Sequence, residues 1–153
     1  MYAVLIAYEQ KPELRAVDAA HQFVMQRMRD GLRTLSEDVE FRGSCDLAMG
    51  ELKFSGNALR CKRGFFLYHG TVLYDFPLER ISRYLLTPPR QPDYRHGRSH
   101  QKFVRNFPSD AVSIRKAIRD AWLAIEVQTE WPRETVGTLV EQRYSKPTWN
   151  LNR

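Results

Sequence analysis

The chain has 153 residues, which suits one domain and leaves little room for two. Hydrophobic residues make up 42% and charged residues 27%, a globular composition that argues against intrinsic disorder. The longest apolar run, residues 3–7, is far shorter than the ~20 residues that span a bilayer. Residues 1–8 also lack the basic region and cleavage site of a secretory signal. The short apolar run and the absence of a signal lead us to expect no membrane association. Two cysteines, Cys45 and Cys61, allow at most one disulfide, so we expect a reduced, cytoplasmic setting.

The net charge of +6 is concentrated in one stretch of the chain. Between Glu79 and Arg105 lie seven lysines and arginines and only two acidic residues. Such a segment favours an anionic partner: a nucleotide, a nucleic acid, an anionic lipid or an acidic protein. A solvated, irregular surface segment explains the charge equally well, so both interpretations stay open at this point.

The first predicted elements are a strand and a long helix. Residues 1–8 are apolar on both faces and rich in β-formers, which predicts a strand buried on both sides. Pro12 opens a helix in which apolar residues recur at three- and four-residue steps as far as Leu35. His21 lies on this stripe, where a packed core histidine is a simpler explanation than a ligand.

A β-meander follows, and then a long loop and two helices. The predicted strands are separated by turn-forming residues, including a break at Gly56-Asn57, and cover residues 39–42, 46–49, 52–54, 58–62 and 65–76. A short helix over 78–86 leads into a proline-rich loop over 87–108, a length that is uncommon without a function. The C-terminal part predicts a helix capped by Ser109 or Asp110 and a second helix that begins at Pro132. The pattern predicts an α+β fold in one domain.

One lysine in the meander is unusual. Lys53 lies in the middle of a strand with apolar neighbours, where burial is costly unless an anion meets the ammonium group. Gly56 permits close backbone approach, and Ser55 and Asn57 add neutral donors, so these residues can cradle a phosphate or a carboxylate. The alternative is an edge-strand lysine that prevents aggregation, next to a Gly-Asn turn. His69-Gly-Thr71 alone indicates little more than a bulge.

Residues 50–58 (Gly-Glu-Leu-Lys-Phe-Ser-Gly-Asn-Ala) and 69–73 (His-Gly-Thr-Val-Leu) carry the most specific pattern in the chain. They resemble the G-x-K-[IF]-S-G-[NS]-A and H-H-G-T-[LI]-L strands of the biotin/lipoate A/B protein ligase family, above all its lipoate–protein ligases. Tyr68 stands in place of the first histidine. Residues 43–47 resemble the family's G-R-N-D-L strand, with serine and cysteine replacing arginine and asparagine, and residues 98–106 resemble its V-R-S-R-V-x-N-L element.

The resemblance implies a fold and an activity. It implies a class II synthetase-like domain with a mixed sheet and packed helices, in which residues 1–108 form the family core and 109–153 a helical extension. It also implies an enzyme that makes an acyl-adenylate from ATP and lipoate or octanoate and passes the acyl group to a lysine of an acidic lipoyl domain. Nucleic acid is not an expected partner of such an enzyme.

The resemblance also implies roles for individual residues. Lys53 would contact the adenylate phosphate and the carboxylate of the acid, and Asp46 would hold Mg²⁺. The nucleotide and acyl groove would be lined by Ser55, Gly56, Asn57, Ala58, His69, Gly70 and Thr71. The acceptor domain would dock on a basic surface formed by Arg95, Arg98, Lys102 and Arg105.

Two departures from the family pattern lead to further expectations. Family members carry an arginine-rich, triple-glycine loop before the strand that matches residues 2–8, and this chain begins at that strand. We therefore expect an N-terminally truncated domain that is inactive alone and depends on a missing part or a separate subunit. The amidotransferase branch uses a cysteine after the His-Gly-Thr strand, and no cysteine follows Cys61, so the ATP-dependent ligase is favoured.

Two other functions compete with a ligase. A nucleic-acid-binding module would use residues 80–105, with stacking platforms at Tyr84, Tyr94 and Phe103. That interpretation leaves the pattern around Lys53 unexplained. A hydrolase built on Asp93, Ser99 and His100 is the weakest alternative, since adjacency in sequence is poor evidence for a catalytic triad.

Overall fold

The computed structural model describes residues 1–151, in which a five-stranded antiparallel sheet packs against helices. The strands are β1 (Tyr2–Ala7), β2 (Val39–Arg42), β3 (Asp46–Met49), β4 (Leu52–Cys61) and β5 (Phe65–Val72). The helices are α1 (Val17–Arg33), α2 (Glu79–Tyr84), α3 (His100–Phe103), α4 (Ala111–Ala121), α5 (Arg133–Leu139) and α6 (Pro147–Asn150). Single turns of 3₁₀ helix lie at Pro12–Arg15 and Asp93–Arg95, and a π-helical turn at Val140–Tyr144. The predicted α+β fold is confirmed.

The sheet has the order β1-β5-β4-β3-β2, so β2 to β5 form the predicted meander and β1 lies at an edge beside β5. Exposure alternates along β1: Val4 and Ile6 pack against the core, whereas Leu5 is 65% exposed. The prediction of a strand buried on both faces is wrong, because the helices cover only one side of β1.

The main core lies between α1, α4 and one face of the sheet. The α1 residues at its centre are fully buried and are Ala20, Val24, Met25, Met28 and Leu32. Gly31 lets α4 approach α1 closely, since a Cβ atom there would lie 2.7 Å from the Cβ atom of Ala121. The His21 ring faces the same core, with Nδ1 2.9 Å from the hydroxyl of Tyr68, and burial lowers the pKa of His21.

Strand β4 is longer than the sequence predicts. It continues through Gly56 and Asn57, where the sequence predicts a break, and pairs with β5 as far as Cys61. Near its start, β3 pairs Leu47 with Ser55 and Ala48 with Lys53, so Phe54 is the extra residue of a β-bulge. The bulge turns the Phe54 side chain into the main core, while Lys53 and Ala48 share the opposite face.

The segment between β5 and α4 folds over that opposite face. The sequence predicts an irregular loop here, but the segment includes α3 and builds a second core cluster of Ala48, Tyr94, Phe103 and Val104. It is fixed to β4 by a parallel bridge between Val104 and Lys53, and the Arg105 amide donates to the Lys53 carbonyl at 2.9 Å. Lys53 is therefore held between the sheet and this segment.

The C-terminal residues beyond α4 are mostly exposed to solvent. Within them Trp149 packs edge-on against Tyr144, and the Arg143 guanidinium lies 3.7 Å from the Trp149 ring centroid. The last two residues of the predicted extension, 152 and 153, lie outside the described residues. Across residues 1–151, no helix combines the length and the hydropathy needed to cross a membrane.

Candidate functional site

A groove of about 690 Å³ lies on the sheet face opposite α1, where β4 and β5 meet the segment that precedes α4. Lys53, Gly56 and Thr71 line its polar end. Its walls are mostly apolar and include Phe54, Leu73, Ile81, Leu85, Phe103 and Val104. A second depression of similar volume, about 700 Å³, lies between α1 and α4, and no predicted site residue lines it. The groove at Lys53 is therefore the candidate site.

The lysine predicted from the sequence forms an ion pair inside this site. Its side chain crosses Gly56 and places Nζ 2.6 Å from Oδ1 of Asp46. A Cβ atom at Gly56 would lie 3.1 Å from both Cε and Nζ of Lys53, so a glycine here leaves the path of the lysine open. The Lys53 side chain is 28% exposed and that of Asp46 is 8% exposed. The Lys53 side chain thus remains partly exposed while its partner is buried.

Asp46 is held from its other side by Tyr94. The Tyr94 hydroxyl donates to Oδ2 of Asp46 at 2.9 Å. Burial, together with the neighbouring charge of Asp46, raises the pKa of Tyr94, which therefore stays a protonated donor at neutral pH. Both carboxylate oxygens of Asp46 are engaged within the protein. Asp46 orients the lysine, and Tyr94 orients Asp46.

The magnesium site expected at Asp46 stays a prediction. Each oxygen of Asp46 accepts one hydrogen bond, from the Lys53 ammonium or from the Tyr94 hydroxyl, and each oxygen has a second lone pair. No cluster of three or more His, Cys, Asp or Glu side chains suited to a metal occurs among residues 1–151. We derive no chemical step from a metal ion.

The predicted groove residues divide between the two faces of the sheet. Gly56 pairs with Thr71 and Ala58 with His69, so alternation along the strands puts all four on the face of Lys53. Thr71 and Gly56 line the groove itself, whereas His69 and Ala58 lie farther along the sheet. The structure thus brings Lys53, Asp46, Gly56 and Thr71 together.

Ser55 also lines the groove, but its hydroxyl bonds to Asn57, which together with Gly70 has a different environment. The Asn57 amide donates to the Cys45 carbonyl at 2.7 Å and to the Ser55 hydroxyl at 3.2 Å, and its oxygen accepts from the Tyr2 hydroxyl. Gly70 faces this amide, since a Cβ atom there would lie 1.7 Å from Oδ1 of Asn57. These contacts brace β1, β4, β5 and the start of β3, and the Asn57 side chain is engaged by them.

Arg95 is not part of the expected docking surface. It is 3% exposed, so its assignment to an exposed surface is wrong: the chain turns it inward, where its guanidinium lies 4.9 Å from the Phe103 ring centroid. Its Nε donates to the Arg98 carbonyl at 2.9 Å, and it lines the groove. Lys102 is exposed and Arg105 half-buried.

Arg98 holds the loop that carries Arg95. Its guanidinium donates to the carbonyls of Tyr94 at 2.6 Å, Arg95 at 3.0 Å and Glu51 at 3.0 Å. These bonds tie the 3₁₀ turn to the β3–β4 turn. Arg98 therefore has a structural role in addition to the charge it adds to the surface.

The two competing interpretations find little support in this geometry. Tyr94 is 9% and Phe103 2% exposed, and the two rings pack together at 5.1 Å, so neither is available to stack on a base. The His100 ring lies 3.2 Å from the Leu86 carbonyl, and in the described part of the chain it forms no hydrogen bond with Ser99 or Asp93. Of the three predicted platforms only Tyr84 is exposed, at 69%, and no catalytic triad is formed among the described residues.

Sequence reasoning missed Tyr94, Tyr2 and the groove position of Arg95. Tyr94 contacts Asp46 across 48 residues of chain, and Tyr2 contacts Asn57 across 55. A short motif carries no information about such distant contacts. Only the pairing of β1 with β5, or the folding of the loop onto β3, could have revealed them.

The comparisons with known proteins identify the family and support the fold. Residues 2–129 match the family model of the lipoyl protein ligase A/B catalytic domain. A lipoate ligase-like protein of Thermoplasma acidophilum with bound lipoic acid superposes with a TM-score of 0.77 at 18% identity, over 99% of this chain and 64% of that one. A bi-partite lipoate protein ligase of the same organism, described with its E2 lipoyl domain, gives 0.76 at 19% identity, over 97% and 62%.

Two further relatives complete the comparison. A lipoate-protein ligase A bound with ATP gives a TM-score of 0.75 at 19% identity, over 97% of this chain and 63% of that one. An inactive lipoate–protein ligase 2 of Plasmodium falciparum is 33% identical over 54 residues, which are 35% of this chain and 14% of that protein. At such identities the structures establish the fold alone. The chain spans less than two thirds of the length of each of these proteins.

Proposed function

The chain belongs to the lipoyl protein ligase A/B catalytic domain family, and from that premise we propose that it acts in protein lipoylation. In this proposal it binds ATP and lipoate or octanoate, joins them into an acyl-adenylate, and transfers the acyl group to a lysine of a lipoyl domain. The observation that carries the proposal is the partly exposed side chain of Lys53, which lines a mostly apolar groove.

The first step explains why a fixed cation is useful in this groove. A carboxylate oxygen of the acid attacks the α-phosphorus of ATP, the new oxygen–phosphorus bond forms, and pyrophosphate leaves with the electrons of the broken bond. Negative charge grows on the phosphate oxygens in the transition state, and the Lys53 ammonium stabilises it. Loss of one such preorganised contact costs about 2.7–4 kcal/mol, or about 10²–10³ in rate.

Asp46 keeps that cation in position before substrate binds. The ion pair at 2.6 Å fixes Nζ at the groove wall, and the hydroxyl of Tyr94 fixes the carboxylate in turn. A phosphate oxygen then shares the ammonium with Asp46, since an ammonium has three donor hydrogens. The pair thus orients Lys53 without preventing it from meeting the substrate.

The second step needs an acceptor protein and, we propose, a further part of the enzyme. Exposed cations near the groove, of which Lys102 is one, provide a surface for an acidic lipoyl domain. The bi-partite ligase among the structural neighbours supports a second component, and this chain spans 62% of the length of that structure. A separate subunit would fill this role.

The proposal is tested by forming the acyl-adenylate. The protein isolated from its native source, with any tightly bound subunit, is mixed with ATP, Mg²⁺ and lipoate, and lipoyl-adenylate and pyrophosphate are measured. The recombinant chain alone is assayed beside it. We expect adenylate from the native form and none from the chain alone.

Two variants of the native form assign the activity to the groove. Lys53→Gln should lower the rate about 10²–10³-fold, whereas Lys62→Gln, at an exposed lysine beyond the end of β4, should stay within about twofold. A Lys53→Gln form that retains full activity would refute the role of this lysine. No adenylate from the unmodified native form would refute the ligase.

A second candidate is a non-catalytic member of the family that binds a lipoyl domain. The similarity to a relative named as an inactive ligase favours it, since that match is at 33% identity over 54 residues. The same experiment separates the two functions. A native form that binds the lipoyl domain but makes no adenylate would support the second candidate.

A further inference from the structure

Arg95 carries a buried positive charge that the protein leaves without an anionic partner. Its side chain lines the groove at 3% exposure, and its Nη2 atom is buried and has no hydrogen-bond partner in the described part of the chain. No acidic side chain among residues 1–151 forms a salt bridge with it. Buried donors of this kind are rare in folded proteins.

The missing partner is costly for the protein without a ligand. A guanidinium cannot lose its proton under physiological conditions, so it cannot avoid the penalty of burial by becoming neutral. A buried charge is ordinarily paired or hydrogen-bonded, and one left unpaired is destabilising. An anion that enters the groove would remove that penalty.

Among the described residues that line the groove, Lys53 and Arg95 have cationic side chains, and only Lys53 has a carboxylate partner. Lys53 already has Asp46 at 2.6 Å, whereas Arg95 has no such partner. We propose that Arg95 is the primary phosphate-binding residue of this groove and receives the nucleotide phosphate while Lys53 is still paired with Asp46. This inference rests on the proposed function and adds to it the residue that binds the nucleotide first.

A nucleotide fits these observations better than the carboxylic acid does. Its phosphates carry more than one negative charge and can use both Arg95 and Lys53, whereas a carboxylate carries one charge. The volume of about 690 Å³ is within the range of ordinary ligand pockets, and a single eight-carbon chain would fill only a fraction of it. The apolar walls suit the faces of a purine ring.

The loop prepares Arg95 for this role. Its Nε is occupied by the Arg98 carbonyl, and Arg98 is fixed to the β3–β4 turn through the Glu51 carbonyl. The Phe103 ring supports one face of the guanidinium at 4.9 Å. These contacts fix the direction of the guanidinium and leave Nη2 without a protein partner, so little side-chain entropy is lost when an anion binds.

Equilibrium binding of a charged and an uncharged nucleoside tests the proposal without any turnover. AMP and adenosine are titrated by calorimetry into the full chain, into Arg95→Met and into Arg90→Met, an exposed arginine of the same loop. Arg95→Met should lower the affinity for AMP about 10- to 100-fold, since a hydrogen bond to a charged group is lost, and should leave the affinity for adenosine within about twofold. Arg90→Met should change neither affinity.

Thermal unfolding shows whether Arg95 serves a ligand or the fold. Without ligand, Arg95→Met should have a Tm equal to or higher than that of the unmodified chain, because a buried unpaired charge is removed. With saturating AMP the order should reverse. An unliganded Arg95→Met protein that unfolds at a lower Tm would show that the arginine serves the fold, and would refute the proposal.

Other results of the titration also decide the question. Octanoate is titrated in the same way. If Arg95→Met lowers the affinity for octanoate but not that for AMP, the arginine binds the carboxylate and the proposal is wrong. Failure of AMP to bind the unmodified chain would refute it as well. Arginine-dependent AMP binding by a protein that makes no adenylate would uphold the phosphate site and refute only the proposed ligase activity.

Discussion

Replacement of Gly70 by alanine tests whether the amide brace behind the groove holds the sheet together. A Cβ atom at Gly70 would lie 1.7 Å from Oδ1 and 2.7 Å from Cγ of Asn57, and 2.9 Å from a ring carbon of Tyr2. The Asn57 amide cannot move aside freely, because it bonds to the Cys45 carbonyl and to Tyr2. The alanine must therefore break the brace or push the strands apart.

Two effects set the size of the loss in stability. Overpacking a well-packed site costs about 1–3 kcal/mol. Leaving the half-buried Asn57 amide without its partners adds about 1–3 kcal/mol. In a domain of this size about 1 kcal/mol shifts Tm by roughly 2–4 °C, so Gly70→Ala should lower Tm by roughly 4–24 °C.

Thermal unfolding followed by circular dichroism measures this effect, with Gly64→Ala as the matched control. A Cβ atom at Gly64 would meet nothing within 4 Å, so that variant should unfold within about 2 °C of the unmodified chain. Equal Tm values for Gly70→Ala and Gly64→Ala would refute the proposed role of the brace.

Three further substitutions test the site and its surroundings. Gly56→Ala should leave Tm within about 2 °C but slow adenylate formation about tenfold or more. Its Cβ atom, 3.1 Å from Lys53 Nζ, displaces a flexible ammonium group rather than a rigid one. An unchanged rate, or a Tm that falls by more than about 2 °C, would contradict this. Asp46→Asn should lower the rate by releasing Lys53 but should not change the Mg²⁺ concentration for half-maximal rate; a shift in that concentration would mean that Asp46 binds the metal. Hydrogen bonds from Ser113 lower the pKa of Asp110, so the stability that Asp110 provides is present at neutral pH and lost as pH falls below about 4. Asp110→Ala should therefore lower Tm at pH 7. The difference in Tm between this variant and the unmodified chain should disappear in acid.

The local pattern of the sequence was sufficient to predict much of the sheet. The predicted strands at 39–42 and 46–49 agree with β2 and β3 to the residue, because each is a short run of strand formers between turn formers. The predicted break at Gly56-Asn57 failed for a physical reason. Gly56 makes room for a side chain that crosses it, and the Asn57 amide binds a neighbouring strand, so neither residue forms a turn.

The site itself was only partly visible in the sequence. Lys53 stood out because a lysine inside a strand needs an explanation, but its direction depends on the bulge at Phe54, which no local pattern indicated. Tyr94 and Arg95 come to the groove from a proline-rich loop, where spacing says little about which side chains turn inward. Long-range packing decides those positions, and a single sequence does not display it.

The position of the phosphate in a complex tests the central claim most directly. A crystal structure of the native form with a non-hydrolysable acyl-adenylate analogue would show which protein groups surround the phosphorus. We predict a phosphate oxygen within about 3.2 Å of the Lys53 Nζ, with the Arg95 guanidinium on the same phosphate. A phosphate bound elsewhere, with Lys53 still paired only with Asp46, would contradict the account.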